Sequence, residues 1–234
     1  MIPIHIKRPG EGEPPQGNYY IVAGNGFFLR KKMSWVDAVV RVQDIKVLEN
    51  EEVSMKLLLP PLPARILYPA VRLAKSVYDI SGSEVCLLLH HNETTGYVLT
   101  VPDQTVDPGS IDYDAAGRLS GFVHVGTIHS HGRYPAYHSE TDLKDEEHSD
   151  GVHITVGSMK DYPRFSLSAE MVVNGMRYPI EMSWFEGLVG PGNSCCIDGA
   201  VDHHWEIPRE WTEAIYHRPQ SQKKYLFKRR KDEH

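Results

Sequence analysis

Cysteine is scarce in this chain. There are three in 234 residues, Cys86, Cys195 and Cys196, two of them adjacent. Such a set cannot build the disulfide framework of a small secreted domain, and it fits a reducing compartment, so a cytoplasmic location is expected. Long apolar runs are missing as well: no stretch approaches the ~20 residues of a membrane-crossing helix. The opening Met1-Ile2-Pro3 starts no signal peptide, and neither a membrane partner nor export is expected. Positive charge is not in excess either. Lys and Arg total 25 against 31 Asp and Glu, a formal net charge of −6, which argues against broad binding to nucleic acid or an anionic membrane. What remains is an ordinary globular composition, 41% hydrophobic, over a length suited to one domain with extensions.

Histidine, by contrast, is plentiful, with 13 in the chain, and the placement of two of them is informative. His129-Ser130-His131 is followed, after seven residues, by Ser139 and then, after two more, by Asp142. Two His at i and i+2 on a strand point to one face, where both imidazoles can reach one ion. An Asp from the next turn adds an oxygen ligand. Three protein ligands leave the fourth tetrahedral position of a zinc ion to water, the arrangement of catalytic rather than structural zinc. A bound zinc lowers the pKa of that water towards ~7, so a metal-dependent hydrolase is the leading reading.

The surrounding residues suit this chemistry. Residues 121–128 are β-branched and aromatic, bounded by glycine, and read as a buried strand leading into the motif. The spacer Gly132-Arg133-Tyr134-Pro135-Ala136-Tyr137 reads as a loop. Ser139 opens Ser-Glu-Thr-Asp as a helix N-cap, which places Asp142 in the first helical turn. Each residue also has a plainer role open to it: Ser139 as a cap alone, Asp142 as a helix-start residue favoured by the macrodipole. Residues 64–80 read as a helix, with Leu67, Val71, Ala74 and Tyr78 at helical spacing despite Pro69. Ser81-Gly82-Ser83 breaks the chain, and residues 84–89 read as a buried strand led by Glu84.

His-x-His-x(7)-Ser-x(2)-Asp, at His129, His131, Ser139 and Asp142, resembles the metal motif of the JAB/MPN (JAMM) zinc metalloproteases. The resemblance covers roughly residues 64–185. It implies one zinc per chain held by His129, His131 and Asp142, with Glu84 as the catalytic general base and Ser139 as the donor to the oxyanion. It also implies cleavage of a peptide or isopeptide bond, at the tail of a ubiquitin-like protein or protein conjugate laid beside a sheet edge. The family contains catalytically silent scaffold subunits too, and a zinc hydrolase of another bond is a third reading; Glu84 on its own could equally be a solvated carboxylate. Two departures stand out: Gly132 where many members have Pro, and Cys86 and Leu88 where many have glycine. The Gly132 form with its basic-aromatic spacer looks closer to prokaryotic branches, including the plasmid-associated PRTRC system protein A group. Some of these branches are encoded near ubiquitin-activating-enzyme-like proteins, which makes such an enzyme an expected partner. The fold implied is α/β, a curved mixed sheet flanked by helices.

Outside the motif domain the reading is coarser. Residues 1–60 form a small β-rich extension, with a hairpin of 19–23 and 27–30 around Gly24-Asn25-Gly26 and further strands at 36–42 and 53–59. Pro60-Pro61-Leu62-Pro63 marks the boundary, and the metalloprotease domain spans 61–190. Within it, residues 96–101 pair with the Glu84 strand, 102–118 are a polar loop, and 152–156, 165–173 and 176–184 are strands, the last two joined by Asn174-Gly175. His90, His91, His138, His148 and His153 fit no ligand spacing and are read as non-ligands. Residues 191–234 form a C-terminal extension. Its Cys195, Cys196, His203 and His204 lack familiar zinc spacing, and its basic run at 223–231 is either a docking tail for an acidic partner or a solvated one.

Overall fold

The computed structural model describes residues 2–12, 14, 17–43, 48–108, 110–113, 119–188, 190, 192–196 and 206–217. Contacts divide the chain into two compact units, 1–54 and 55–234. In the first, β1 (Ile4–Ile6), β2 (Tyr19–Ala23), β3 (Gly26–Met33) and β4 (Val36–Arg41) make one sheet in that order. The expected hairpin is β2–β3, turned at Gly24-Asn25, and Arg30 grips the Asp37 carboxylate with two bonds of 2.9 and 2.7 Å. The strand expected at 53–59 is not formed. Met55, Leu57 and Leu59 do alternate inwards, and Leu57 and Leu59 pack on the core of the second unit. A period of two therefore appears in an extended segment that has no ladder partner among the described residues.

The second unit begins with β5 (Leu62–Pro63) and α1 (Ala64–Ser81). Helix α1 buries Leu67, Val71, Ala74 and Val77 on one stripe, and closes at Gly82, whose φ of 67° lets its N–H reach Tyr78 O. Then come β6 (Cys86–Asn92), β7 (Gly96–Thr100), β8 (Gln104–Asp107), β9 (Ser110–Tyr113) and β10 (Val123–Ser130). Helix α2 (Glu140–Glu146), β11 (Gly151–Gly157), β12 (Arg164–Val173), β13 (Met176–Pro179), β14 (Phe185–Glu186), β15 (Ser194–Cys196), α3 (Arg209–Glu213) and β16 (Ile215–His217) complete it. The main sheet is curled and mixed, in the order β13-β12-β11-β10-β6-β7, with β15 beside one end of β12 and β10 parallel to β11. The fold is thus α/β, a curled mixed sheet with few helices.

The two faces of this sheet differ in chemistry. Leu87, Leu89, Ile128, Ile154 and Leu167 project to one side, all 0–1% exposed, in the core that α1 completes. One residue along each strand, Thr127, His129, His153 and Thr155 project to the other side and are also buried. Cross-strand register aligns them: His129 faces Thr155, Thr127 faces His153, and His153 faces Glu170.

Several expectations need correction. The segment 102–118 is not simply loop: β8 and β9 form a hairpin within it, and β16 adds to β8 in parallel to give a three-stranded sheet. Short polar strands such as Gln-Thr-Val-Asp carry too little apolar signal to be recognised. Ladder pairing of β13 stops at Pro179, which lacks an N–H, and 182–184 turn as a 3-10 helix. Regular pairing after α1 starts at Cys86, so Glu84 precedes its strand. Cys195 lies in β15, opposite Phe165, and is 2% exposed in the core; His203, His204 and the basic run lie outside the described residues. No helix among the described residues is long and apolar enough to cross a membrane.

Candidate metal centre

Strand β10 runs on through His129 and Ser130, beyond the expected end at 128. His131 leaves the strand but remains tied to the sheet, its N–H donating to Val156 O at 2.8 Å. Gly132 then takes φ +52°, a conformation closed to proline, whose ring fixes φ near −65°. The departure from the usual proline is therefore a different turn, not only a different side chain. From it the spacer folds back on β11: Met159 N–H donates to Gly132 O at 2.8 Å and Ser158 N–H to Tyr134 O at 2.6 Å. Gly157 permits this, because a Cβ there would lie 2.4 Å from both Tyr134 O and Ala136 N.

Asp142 reaches the same point from helix α2. Its N–H donates to Ser139 Oγ at 3.3 Å while Ser139 N–H donates to Asp142 Oδ2 at 2.7 Å, a reciprocal capping box. That bond fixes the carboxylate at the helix start, facing the histidines. His129 Nε2 and His131 Nε2 are 3.3 Å apart, His131 Nε2 is 3.1 Å from Asp142 Oδ2, and His129 Nε2 is 3.5 Å from Asp142 Oδ1. Tetrahedral ligands at zinc bond lengths of 2.0–2.2 Å are separated by roughly 3.3–3.6 Å, close to the 3.1–3.5 Å seen here. The three donors thus have the spacing that one ion would impose, and they form the one such group of three among the described residues. The donor set suits zinc, and the structure brings together the three residues expected to hold it.

Glu84 and Ser139 line the same cleft, whose volume is about 490 Å³. Burial raises the Glu84 carboxyl above its ordinary pKa, against the opposing pull of His131 and His129. Burial also works to raise the Asp142 carboxyl, but hydrogen bonds to His129, His131 and Ser139 outweigh it and hold the group far below the carboxylate range. Thr155, fully buried, places its Oγ1 3.3 Å from His129 Nε2. Ile111 and Tyr113 of β9 line the cleft as well, and Tyr137 packs edge-on against His131 with ring centroids 4.6 Å apart.

The five histidines read as non-ligands stay outside the ligand group. His90 is buried and its Nε2 lies 2.8 Å from Thr100 Oγ1; His91 packs with its ring tilted against Tyr97, and His148 is exposed. His138 and His153 flank Glu146 at 3.3 and 3.7 Å. Glu146 and its partner Arg177 were not foreseen. In Asp-Glu-Glu nothing distinguishes a buried carboxylate from its solvated neighbours, and Arg177 is 31 residues away.

Residues 75–169 match the family model of prokaryotic homologs of the JAB domain. This span holds Glu84, His129, His131, Ser139 and Asp142, and it belongs to that family. Among solved structures, the solution structure of protein DSY2949 from Desulfitobacterium hafniense is similar at 17% identity. The match covers 51% of this chain and 88% of that one, with a TM-score of 0.42. No curated protein matches.

Proposed function

We propose that this chain is a zinc-dependent isopeptidase or protease of the JAMM type, working in the cytoplasm on a peptide or isopeptide bond at the tail of a ubiquitin-like protein. The observation that carries this reading is the facing pair His129 Nε2 and His131 Nε2, 3.3 Å apart, closed by Asp142 and opening on a cleft that Glu84 also lines. When bound, zinc would supply a Lewis acid and an acidified water. The chain's own residues supply the rest. Glu84, whose burial favours its protonated form, suits a base that takes a proton and returns it to the leaving amine. Ser139 Oγ accepts the helix-capping bond from Asp142 N–H, which leaves its own O–H free to donate to the oxyanion, a role worth about 2.7–4 kcal/mol in other hydrolases. Its cap and donor roles are compatible.

For the substrate, the edge strand β9 is the supporting feature. It pairs with β8 on one side and lines the cleft, so an extended tail can add to it through main-chain bonds. A ubiquitin-like conjugate fits that mode, and an activating-enzyme-like protein is the partner that would make the conjugate.

The test is zinc per chain by elemental analysis, for the wild type and Asp142→Ala side by side, followed by cleavage of an isopeptide panel with Glu84→Gln. The proposal expects about one zinc in the wild type, little in Asp142→Ala, and a Glu84→Gln protein that keeps zinc while cleavage falls about 10²–10⁴-fold. A folded wild type that takes up no zinc, even on reconstitution, would favour the silent-scaffold reading.

A further inference from the structure

Helix α2 carries Asp142 and, at its cap, Ser139, yet it is 7 residues long. A helix of that length does not persist in water by itself and is usually held by an apolar stripe. Here the stripe is missing. The one buried residue of α2 is Glu146, 6% exposed, whereas Leu143 is 39% exposed. A carboxylate, not a hydrophobe, docks the helix that delivers the metal ligand.

That carboxylate is closely surrounded. Arg177, from strand β13, donates through Nη2 to Glu146 Oε2 and through Nη1 to Glu170 Oε2, the latter at 2.8 Å. His138, which immediately precedes the cap Ser139, places Nδ1 3.3 Å from Glu146 Oε2. His153 places Nδ1 3.7 Å from Oε1, and is itself held by Ser149 O at 2.8 Å and Thr127 Oγ1 at 2.9 Å. Glu146 therefore ties the end of α2 to strands β11 and β13 and back to the residue before its start. Asp142 and Glu146 are four residues apart, so they lie on the same face, one turn from each other. A rotation of α2 that withdrew Glu146 from Arg177 would also swing Asp142 away from the two histidines.

We infer that Glu146 and Arg177 are positioning residues for the metal centre: they pin α2 at the angle that sets the Asp142 carboxylate against His129 and His131. The inference rests on the reading of that cluster as a zinc site. Its chemistry is orientation of a ligand through a partly buried ion pair one helical turn away, with no direct contact to the ion.

The experiment measures zinc affinity by competition with a chromophoric chelator, and the visible absorption of bound cobalt(II), in the full-length chain. The proteins compared are the wild type, Glu146→Gln, Arg177→Met, Arg177→Lys and the core variant Val71→Ala. Glu146→Gln and Arg177→Met are expected to weaken zinc about 10–100-fold, as loss of a group orienting a ligand does elsewhere, and to alter the cobalt spectrum. Arg177→Lys, which restores the charge without the fork, is expected to recover part of both. Val71→Ala is expected to lower thermal stability while leaving zinc affinity at the wild-type level, which separates positioning from general destabilisation. Wild-type affinity and an unchanged cobalt spectrum in Glu146→Gln and Arg177→Met would overturn the inference while leaving the metal site intact. A wild type that binds no zinc would overturn the site itself, and the inference with it.

Discussion

Ile128 and His129 are neighbours in one strand, both buried, and they belong to different projects. Ile128 joins Leu87, Leu89 and Ile154 on the side covered by α1, where eight helical residues are buried. His129 joins Thr127, His153 and Thr155 on the side covered by α2, whose single buried residue is charged. The first side gains its stability from apolar area removed from water. The second is buried too, though it opens on the cleft, and is lined by groups that cost free energy unless each finds a partner. Putting stability and chemistry on opposite faces lets one strand serve both, with the pleat separating them by a single residue.

Truncating the two neighbours in turn separates the two faces most strongly. His129→Ala is expected to abolish zinc uptake, with the unfolding midpoint of the metal-free protein close to wild type. Ile128→Ala is expected to keep zinc while losing about 2–5 kcal/mol of stability, read by denaturant titration. Zinc loss in both, or instability in both, would mean that the faces are not separable. A smaller effect is expected at the edge of the polar side. Ser139→Ala removes the α2 cap at about 1 kcal/mol, and the local loss is read as faster amide exchange in 140–146 against unchanged exchange in α1.

The smallest effect at neutral pH comes from protons, and it asks whether the polar side is truly as dry as the apolar one. Burial pushes the Cys86 thiol, on the polar side, up to about 12, and the Cys195 thiol, in the core, up to about 11. Both folded values lie above the ordinary 9.0. As pH rises the unfolded chain therefore loses these protons first. Their contribution is complete below about pH 9 and is lost as pH climbs through the folded values. Stability is thus expected to fall between about pH 9 and 12, and Cys86→Ala is expected to flatten that fall more than Cys195→Ala does, because the Cys86 shift is the larger. A fall that Cys195→Ala flattens and Cys86→Ala leaves unchanged would show that water reaches the polar face.

What could be read from sequence follows the same division. Helix α1 was legible because apolar residues at 3.6-residue spacing mark a buried stripe, and its observed end at Ser81 is one residue beyond the expected one. The motif residues were legible because ligand spacing is strict. Strands β11 and β12 were found within one residue at each end because β-branched runs and Asn174-Gly175 frame them. The polar network was not legible. Glu146, Arg177, Glu170 and His153 come from three strands and a helix, and no local pattern links a carboxylate in an acidic run to an arginine on a distant hairpin. Residues 53–59 misled in the opposite way, since alternation signals a pleated surface but cannot say whether a neighbouring strand exists to pair with it.

The parallel pairing of β16 with β8 has a consequence in time. Gln104 N–H donates to Ala214 O at 2.9 Å, His217 Nδ1 lies 2.9 Å from Ser81 Oγ, and the Gln104 amide clasps the main chain of Cys86 with bonds of 2.9 and 2.8 Å. Chains emerge from the ribosome N-terminus first. A growing chain that has reached residue 142 already holds every member of the metal cluster, yet the strand that braces the hairpin beside it is still some seventy residues away. The three ligands are thus present early in synthesis, whereas Glu146 and Arg177, which pin α2, and then β16, which completes the sheet beside the cleft, emerge only later.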